Sequence, residues 1–212
     1  HADKDALKAL EGDGAVAVEQ IGDGRIVFAP DQPAAGLIFY PGGKVEYTAY
    51  APLLRSMAER GILCVLVRMP FNLAVFDIDA ADGIQEEFPE IDDWYIGGHS
   101  LGGSMAASYA AEHAQDYKGL ILLAAYAAED IRQSGLRVIS VYGDKDGVLD
   151  MEKYAGNLKN LPGDMEEHIM EGGCHAQFGS YGPQKGDGTP QISGKEQREI
   201  TAGLIMEWIG QD

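Results

Sequence analysis

The feature that most constrains the fold is a series of short apolar runs separated by segments with helical spacing. Five runs are almost continuously apolar: Gly36–Tyr40, Ile62–Val67, Trp94–Gly98, Gly119–Ala125 and Arg137–Gly143. Strands of this composition are buried on both faces, which is typical of a parallel sheet covered by helices. The alternation of strand and helix patterns therefore predicts an α/β fold with a doubly wound, mostly parallel sheet.

Weaker patterns extend this sheet and supply its helices. Two β-rich runs within Ala15–Pro30 flank Gly22-Asp23-Gly24 and predict an antiparallel hairpin, and Glu166–Gly172 predicts a further strand. A capping box, Ser193 to Glu196, predicts the start of the last helix. Residues at helical spacing predict the helices. They are Tyr50, Leu53, Leu54 and Met57; Leu73, Phe76, Ala80, Ile84 and Phe88; Met105 and Tyr109; Met151, Tyr154, Leu158 and Leu161 after an Asp150 cap; and Ile200, Leu204 and Trp208, facing inward.

Charge and cysteine content exclude several classes of function. The formal net charge is −18, and no basic patch offsets it, so we expect neither nucleic-acid binding nor contact with anionic membrane surfaces. The apolar runs are far shorter than the ~20 residues of a membrane-spanning helix. Cys64 and Cys174 do not form a disulfide framework, and metal-binding pairs such as C-x-x-C are absent from the sequence. We therefore expect no metal and no cofactor.

The segment Gly98-His99-Ser100-Leu101-Gly102 matches the pattern G-x-S-x-G between a predicted strand and a predicted helix. In that context the pattern indicates a sharp turn that exposes a nucleophilic serine above the carboxyl edge of the sheet. Glycine-rich turns also bind phosphate, but the lysine spacing of a P-loop and the G-x-G-x-x-G pattern are both missing. Ser100 is the predicted nucleophile, and the Leu101 N–H, at a helix N-terminus, is a predicted oxyanion donor.

A serine nucleophile needs a base and an acid that orients the base. Of five histidines, His175 directly follows the last predicted strand, at the edge where Ser100 emerges, and Gly172 and Gly173 give it room. The segment Val141–Asp150 offers three acids. We favour Asp146, keep Asp144 as the alternative, and assign Asp150 to a helix cap.

A second oxyanion donor is expected in the loop Pro41-Gly42-Gly43-Lys44, after the first parallel strand. Gly43 N–H is the preferred donor and Lys44 N–H the alternative. Aromatic and polar residues of other loops at this edge are candidates for the pocket wall, although plain packing would explain them equally well. These are Phe71, Asn72, Tyr126, Phe178 and Tyr181. The irregular stretch Gln177–Gln191 is long enough to suggest a functional loop.

With these residues assigned, the sequence resembles the α/β-hydrolase superfamily, in particular small bacterial hydrolases related to dienelactone hydrolase. The resemblance rests on Tyr40–Gly43, Gly98–Gly103, Gly143–Val148 and Gly172–Gly182, and it extends roughly from Gly36 to Trp208. It implies one α/β-hydrolase domain over residues 1–212, with residues 1–14 as an N-terminal extension. Dienelactone hydrolase itself uses a cysteine where this chain has Ser100. Only Tyr126–Leu136 separates two strands where relatives often insert a lid, so we expect no lid domain.

The resemblance implies a serine hydrolase that cleaves a carboxylic ester or related small acyl substrate through an acyl-enzyme. Alternatives with the same triad are a thioesterase, a peptidase or an acyltransferase, and a catalytically silent binding module is the alternative of another class. The expected partner is a small acyl compound. Similar proteins often carry an N-terminal anchor or signal, and the sequence begins at His1 rather than at a methionine. An extracytoplasmic or membrane-anchored location is therefore expected, with a cytoplasmic one as the alternative.

Overall fold

The computed structural model describes residues 1–22 and 24–211 and contains one sheet of eight strands. Their spatial order is β1-β2-β4-β3-β5-β6-β7-β8. The strands are β1 (Val16–Ile21), β2 (Arg25–Pro30), β3 (Ala35–Tyr40), β4 (Ile62–Val67), β5 (Trp94–His99), β6 (Gly119–Leu123), β7 (Arg137–Gly143) and β8 (Glu166–Met170). The pairs β1–β2 and β2–β4 are antiparallel. The remaining neighbours, β4–β3, β3–β5, β5–β6, β6–β7 and β7–β8, are parallel. The predicted hairpin and parallel sheet are confirmed, while Asp23 of the hairpin turn lies outside the described residues.

Burial follows the apolar runs of the sequence. Every residue of β3, β4, β5 and β6 is buried, and β7 is buried after its first residue. The last strand, β8, lies at the sheet edge and alternates between half-buried and exposed positions until Met170. Strands without polar faces therefore occupy the centre, because helices cover both of their faces.

Helices pack on both faces of the sheet and leave its carboxyl edge open for loops. They are α1 (Lys4–Ala9), α2 (Ala51–Ala58), α3 (Leu101–Glu112), α4 (Met151–Asn157) and α5 (Gly194–Ile209). One apolar core joins the sheet to α2 and α5, and a second core on the other face joins it to α3. Among the described residues, no helix is both long and apolar enough to cross a membrane. The connection between β6 and β7 contains neither helix nor strand, so no lid domain is inserted between these two strands.

The helix predicted from Leu73 to Phe88 is wrong. Three short 3-10 turns replace it: Pro70–Asn72, Ala74–Phe76 and Gln85–Glu87. Gly83 has φ +73, and the buried Tyr40 hydroxyl donates to Ile78 O and accepts from Ala81 N. Tertiary hydrogen bonds to an irregular backbone thus outweigh the helical spacing of the apolar side chains.

The terminal helix begins as predicted, since Ser193 Oγ accepts from the N–H of Glu196 at 3.1 Å. Its inward face differs from the prediction. Trp208 is buried, Leu204 is only partly buried, and Ile200 is 40% exposed. Polar side chains occupy much of the buried face, because each finds hydrogen-bond partners there; they are Gln197, Arg198 and Thr201.

The Asp150 cap is also confirmed, since its Oδ1 accepts from the N–H of Lys153 at 3.0 Å. Helix α4 is shorter than its apolar stripe suggests and ends at Asn157, so Leu158 begins a 3-10 turn and Leu161 lies beyond it. Tyr154 is buried as expected, whereas Met151 is exposed.

Replacing Trp208 by alanine tests this assignment of the α5 face. Its ring is 1% exposed, packs edge-on to Tyr95 at 5.5 Å and covers Gly119. We expect Trp208→Ala to lower the free energy of unfolding by about 3–5 kcal/mol, because it leaves a large cavity. The matched control Ile200→Ala, in the same helix, should lower it by less than about 1 kcal/mol. Urea unfolding followed by circular dichroism measures both, and equal losses would contradict the observed face.

Candidate active site

Ser100 forms the turn between β5 and α3 and has φ 52 and ψ −126. Positive φ is unusual for a residue with a side chain and indicates strain that the surrounding structure must hold. The N–H of Ser100 donates to Leu123 O at 2.9 Å, which ties the turn to β6. A Cβ on Gly98 would lie 2.5 Å from Tyr40 O, and one on Gly102 would lie 2.2 Å from Pro41 O. Only glycine fits at these two positions.

Other strained residues lie at the same edge of the sheet as Ser100. In the described part of the chain, five non-glycine residues have positive φ, and each follows the carboxyl end of a parallel strand. They are Lys44 after β3, Phe71 and Asn72 after β4, Ser100 after β5, and Ala124 after β6. Because backbone strain concentrates at functional sites, this clustering marks the carboxyl edge as the candidate site.

His175 and Asp146 form a buried pair at this edge. Nδ1 of His175 lies 2.8 Å from Oδ2 of Asp146, and the two side chains are only 2% and 1% exposed. A carboxylate can only accept a hydrogen bond, so Nδ1 carries a hydrogen and donates this hydrogen bond to Asp146. Nε2 is therefore the ring nitrogen left free to act as a base.

The pKa of Asp146 lies below its ordinary value although the residue is buried. Burial is the largest single influence and raises the pKa, but the hydrogen bond and charge of His175, together with two backbone N–H groups, outweigh it. These are the N–H groups of Val148 and Leu149, each donating to Oδ1 at 2.8 Å. Asp146 is thus held as an anion in a fixed orientation toward the imidazole.

The alternative acid, Asp144, has a different environment. Its Oδ1 accepts from Gly172 N–H at 2.7 Å, and its Oδ2 pairs with Lys145 at 2.9 Å. Both oxygens are therefore directed at groups other than the His175 ring. Asp144 braces the loop before His175, and Asp146 is the carboxylate that reaches the His175 ring.

Ser100 and His175 line one cavity of about 430 Å³. In the described part of the chain, the Ser100 hydroxyl forms no direct hydrogen bond with the imidazole of His175. Such bonds are often long in unliganded enzymes and tighten when substrate is bound. The predicted nucleophile and the predicted base thus face the same cavity.

The pocket candidates are divided between several places. Tyr126 lines the Ser100 cavity, whereas Phe71 and Asn72 line a separate cavity near Asp77. Phe178 is fully buried in the core, and Tyr181 packs on Gly179 with its hydroxyl bonded to Gln184. The ring of Phe178 packs into the apolar core and does not line the cavity beside Ser100. Additional cavity walls come from positions that sequence analysis did not propose as pocket residues, namely Met105, Val148 and Leu149.

The predicted oxyanion donors, Gly43 and Leu101, lie next to each other. Leu101 is the first residue of α3, so its N–H has no acceptor within the helix. A Cβ on Gly43 would lie 2.9 Å from the Leu101 side chain, which places the two backbones close together. The alternative donor, Lys44 N–H, is engaged by Asn72 O at 2.7 Å. Gly43 N–H has no acceptor in the described ranges and is therefore the freer donor.

A comparison with protein families matches the model of the alpha/beta hydrolase family to residues 36–199. The chain belongs to the alpha/beta hydrolase family. A search of curated proteins finds no significant match to this hydrolase. The fold class and the superfamily predicted from sequence are confirmed, while the relation to dienelactone hydrolase stays a prediction.

Solved structures similar to this hydrolase share its fold at low sequence identity. TT1662 from Thermus thermophilus has a TM-score of 0.68 at 15% identity, covering 91% of this chain and 98% of its own. MGS-MChE2, an alpha/beta hydrolase from a Moroccan lagoon-sediment metagenome, has a TM-score of 0.65 at 14% identity, with coverages of 92% and 98%. A soluble variant of monoglyceride lipase from Saccharomyces cerevisiae has 0.66 at 10%, with coverages of 95% and 97%. Identities this low establish the fold alone.

His99, which precedes Ser100 in this hydrolase, belongs to a buried hydrogen-bond network that sequence analysis missed. Its Nδ1 lies 2.8 Å from the Tyr50 hydroxyl, which accepts the N–H of Gly42 at 3.0 Å. The ring also packs 4.5 Å from the His175 ring. Burial, and then the charge of His175, lower the pKa of His99 well below its ordinary value. His99 therefore stays neutral and connects the loop that contains Gly42 to the ring of His175.

Polar contacts from the last helix hold the loop that carries His175. Gln197 is fully buried, and its amide accepts from Cys174 N–H at 2.9 Å and donates to Cys174 O at 2.7 Å. Asp187, in the loop Gln177–Gln191, accepts backbone N–H groups of His175 and Ala176. The glycines on either side of Asp187 are the only sequence signal that could have marked it. No cluster of three or more metal-ligating side chains occurs in the described part of the chain.

The neutral state of His99 predicts a pH dependence of stability. Below 6.5, its ordinary pKa, the unfolded chain binds a proton that the folded chain excludes, so the free energy of unfolding decreases as pH falls. This contribution amounts to at most about 1.4 kcal/mol per pH unit. The lowered pKa of Asp146 acts only below 3.8 and does not overlap with it.

We expect His99→Asn, which keeps a polar group near Tyr50, to lose less stability than the wild type between about pH 7.5 and about pH 5.5. Urea unfolding at both values measures this difference. Parallel pH dependence in the two proteins would show that His99 is not held neutral.

Proposed function

We propose that this protein is a serine hydrolase that cleaves a carboxylic ester or a related small acyl compound through an acyl-enzyme. The observation that carries the proposal is the arrangement at the carboxyl edge of the sheet. A strained Ser100 and His175 share one cavity, and Asp146 binds the imidazole nitrogen that faces away from catalysis. A pure binding module would not need a strained serine beside an oriented base.

In the proposed reaction, Ser100 Oγ attacks the substrate carbonyl while His175 Nε2 takes its proton. Asp146 stabilises the imidazolium through the Nδ1 hydrogen bond. The tetrahedral intermediate collapses when His175 returns that proton to the leaving alcohol. Water then attacks the acyl-enzyme with the same proton transfers, which releases the acid and restores Ser100.

Gly43 and Leu101 N–H groups would stabilise the oxyanion of both tetrahedral intermediates. Removal of one preorganised oxyanion donor costs about 3–4 kcal/mol of transition-state stabilisation in known enzymes. The Tyr50–Gly42 hydrogen bond fixes the loop that carries Gly43. The helix α3 adds the positive end of its dipole at Leu101.

The cavity favours small, uncharged or cationic acyl groups. Its volume is about 430 Å³, and its walls include Met105, Tyr126 and Leu149. Two acidic residues, Glu129 and Asp150, border it, and neither lysine nor arginine is among its described lining residues. An anionic acyl group would meet like charges there without a compensating cation.

A fluorophosphonate probe tests the nucleophile. We expect rapid, stoichiometric labelling of the wild type at Ser100 and no labelling of Ser100→Ala, because only an activated serine attacks the phosphorus. Mass spectrometry of the intact protein and its peptides gives the readout. Another serine that lines the same cavity, Ser108, provides the control, and Ser108→Ala should be labelled like the wild type. A folded wild-type protein that is not labelled would instead favour a binding module.

Two neighbouring acids provide a matched test of the triad. Asp146→Asn should lower kcat for a p-nitrophenyl ester by up to about 10⁴-fold, as for other triad acids. Asp144→Asn should have a much smaller effect, because its oxygens contact Gly172 N–H and Lys145. Steady-state kinetics at matched thermal stability compares the two variants. The opposite order of effects would assign the acid to Asp144.

A further inference from the structure

We propose that Asp187 is a positioning residue, whose carboxylate holds the loop of the triad acid and the loop of the triad base in one fixed arrangement. This inference rests on the proposed function of Asp146 and His175. It assigns a task to the Gln177–Gln191 loop, which the reaction itself does not use.

One carboxylate group bridges the two loops. Oδ1 of Asp187 accepts the N–H of Gly147 at 3.1 Å and the N–H of His175 at 3.2 Å. Oδ2 accepts the N–H of Ala176 at 2.8 Å, and Oδ1 also accepts the N–H of Gly188 at 2.9 Å. Gly147 directly follows the acid, and His175 is the base. The same side chain thus binds the backbone of His175 and that of the residue next to Asp146.

The sheet by itself does not determine this arrangement. The strands β7 and β8 pair as far as Gly143 and Met170, and beyond them the N–H of Asp144 donates to Met170 O and the N–H of Lys145 to Gly173 O, each at 3.0 Å. In the described part of the chain, no backbone hydrogen bond between the two loops reaches Gly147 or His175. Hydrogen bonds to charged acceptors are stronger than neutral ones, so one carboxylate with several N–H donors can replace the missing ladder. Asp187 therefore supplies a constraint beyond the last backbone hydrogen bonds between the two loops, at Gly147 and His175.

The backbone around Asp187 is shaped for close approach to the acid loop. A Cβ on Gly147 would lie 2.5 Å from Gly186 O, and one on Gly188 would lie 1.9 Å from Lys145 O. Gly186 has φ +91, a conformation that other residues rarely adopt. The two loops thus meet backbone to backbone, and the Asp187 carboxylate is directed at their N–H groups.

Asp187 does not act as a second acid for the imidazole. The ring nitrogen Nδ1 is bound by Asp146, and the His175 atom that Asp187 contacts is the backbone nitrogen. Its effect on catalysis must therefore pass through the geometry of the Asp146–His175 pair. This requirement separates positioning from a general contribution to stability.

A double-mutant cycle tests the proposal. We expect Asp187→Asn to lower kcat for a p-nitrophenyl ester by about 10- to 100-fold with little change in KM, because an amide cannot accept all these N–H groups and a small displacement of the base is costly. In an Asp146→Asn background the same change should have almost no effect, since the pair to be positioned is already broken. The exposed Asp164→Asn is the matched control and should leave kcat unchanged.

If the fold-losses of kcat from the two substitutions multiply in the double variant, Asp187 is not a positioning residue, because a merely structural role lowers activity equally in both backgrounds. Hydrogen exchange provides a readout independent of activity: the amides of Gly147, His175 and Ala176 should exchange faster in Asp187→Asn. Unchanged exchange would also overturn the proposal. If Asp187→Asn does not fold, Asp187→Glu, which keeps the charge but shifts the oxygens, is tested in the same cycle. A wild type that resists the fluorophosphonate would refute the proposed function itself, whatever the exchange data show.

Discussion

The turn at Ser100 depends on direct contact between backbones, and most of the site depends on that turn. Gly98 and Gly102 allow β5 and α3 to pass within contact distance of Tyr40 and Pro41 at the end of β3. This approach raises Ser100 above the sheet edge and brings the first N–H of α3 next to the loop that contains Gly43. A side chain at either glycine would push the Ser100 turn away from the loop that carries Gly43, one of the proposed oxyanion donors.

Polar contacts, rather than apolar packing, hold the proposed base. Gln197 binds Cys174 on both its N–H and its C=O, and Asp187 binds the next two N–H groups. A loop at the end of a sheet exposes backbone groups that strands no longer pair, so buried side chains must satisfy them. This explains why α5 carries polar residues on its inward face. It also explains how a base on a loop can be as fixed as one on a strand.

The sequence predicted the parts of the structure that depend on local patterns. Apolar runs located the parallel strands, and the glycine spacing around Ser100 located the turn between β5 and α3. The same reasoning failed for Leu73–Phe88, where the spacing was helical but Tyr40 and Gly83 favour an irregular backbone. It also failed for Ile200, because burial in α5 follows hydrogen-bond partners that hydrophobicity does not record.

The sequence by itself determined the strand order along the chain, the strained serine and the short set of acids and histidines able to serve it. It did so because glycine positions and apolar runs act over a few neighbouring residues. Only the tertiary structure decided that Asp146 reaches the His175 ring, that His99 pairs with Tyr50, and that Asp187 binds both loops. These partners are far apart along the chain, and their contacts arise only when the sheet brings its loops to one edge.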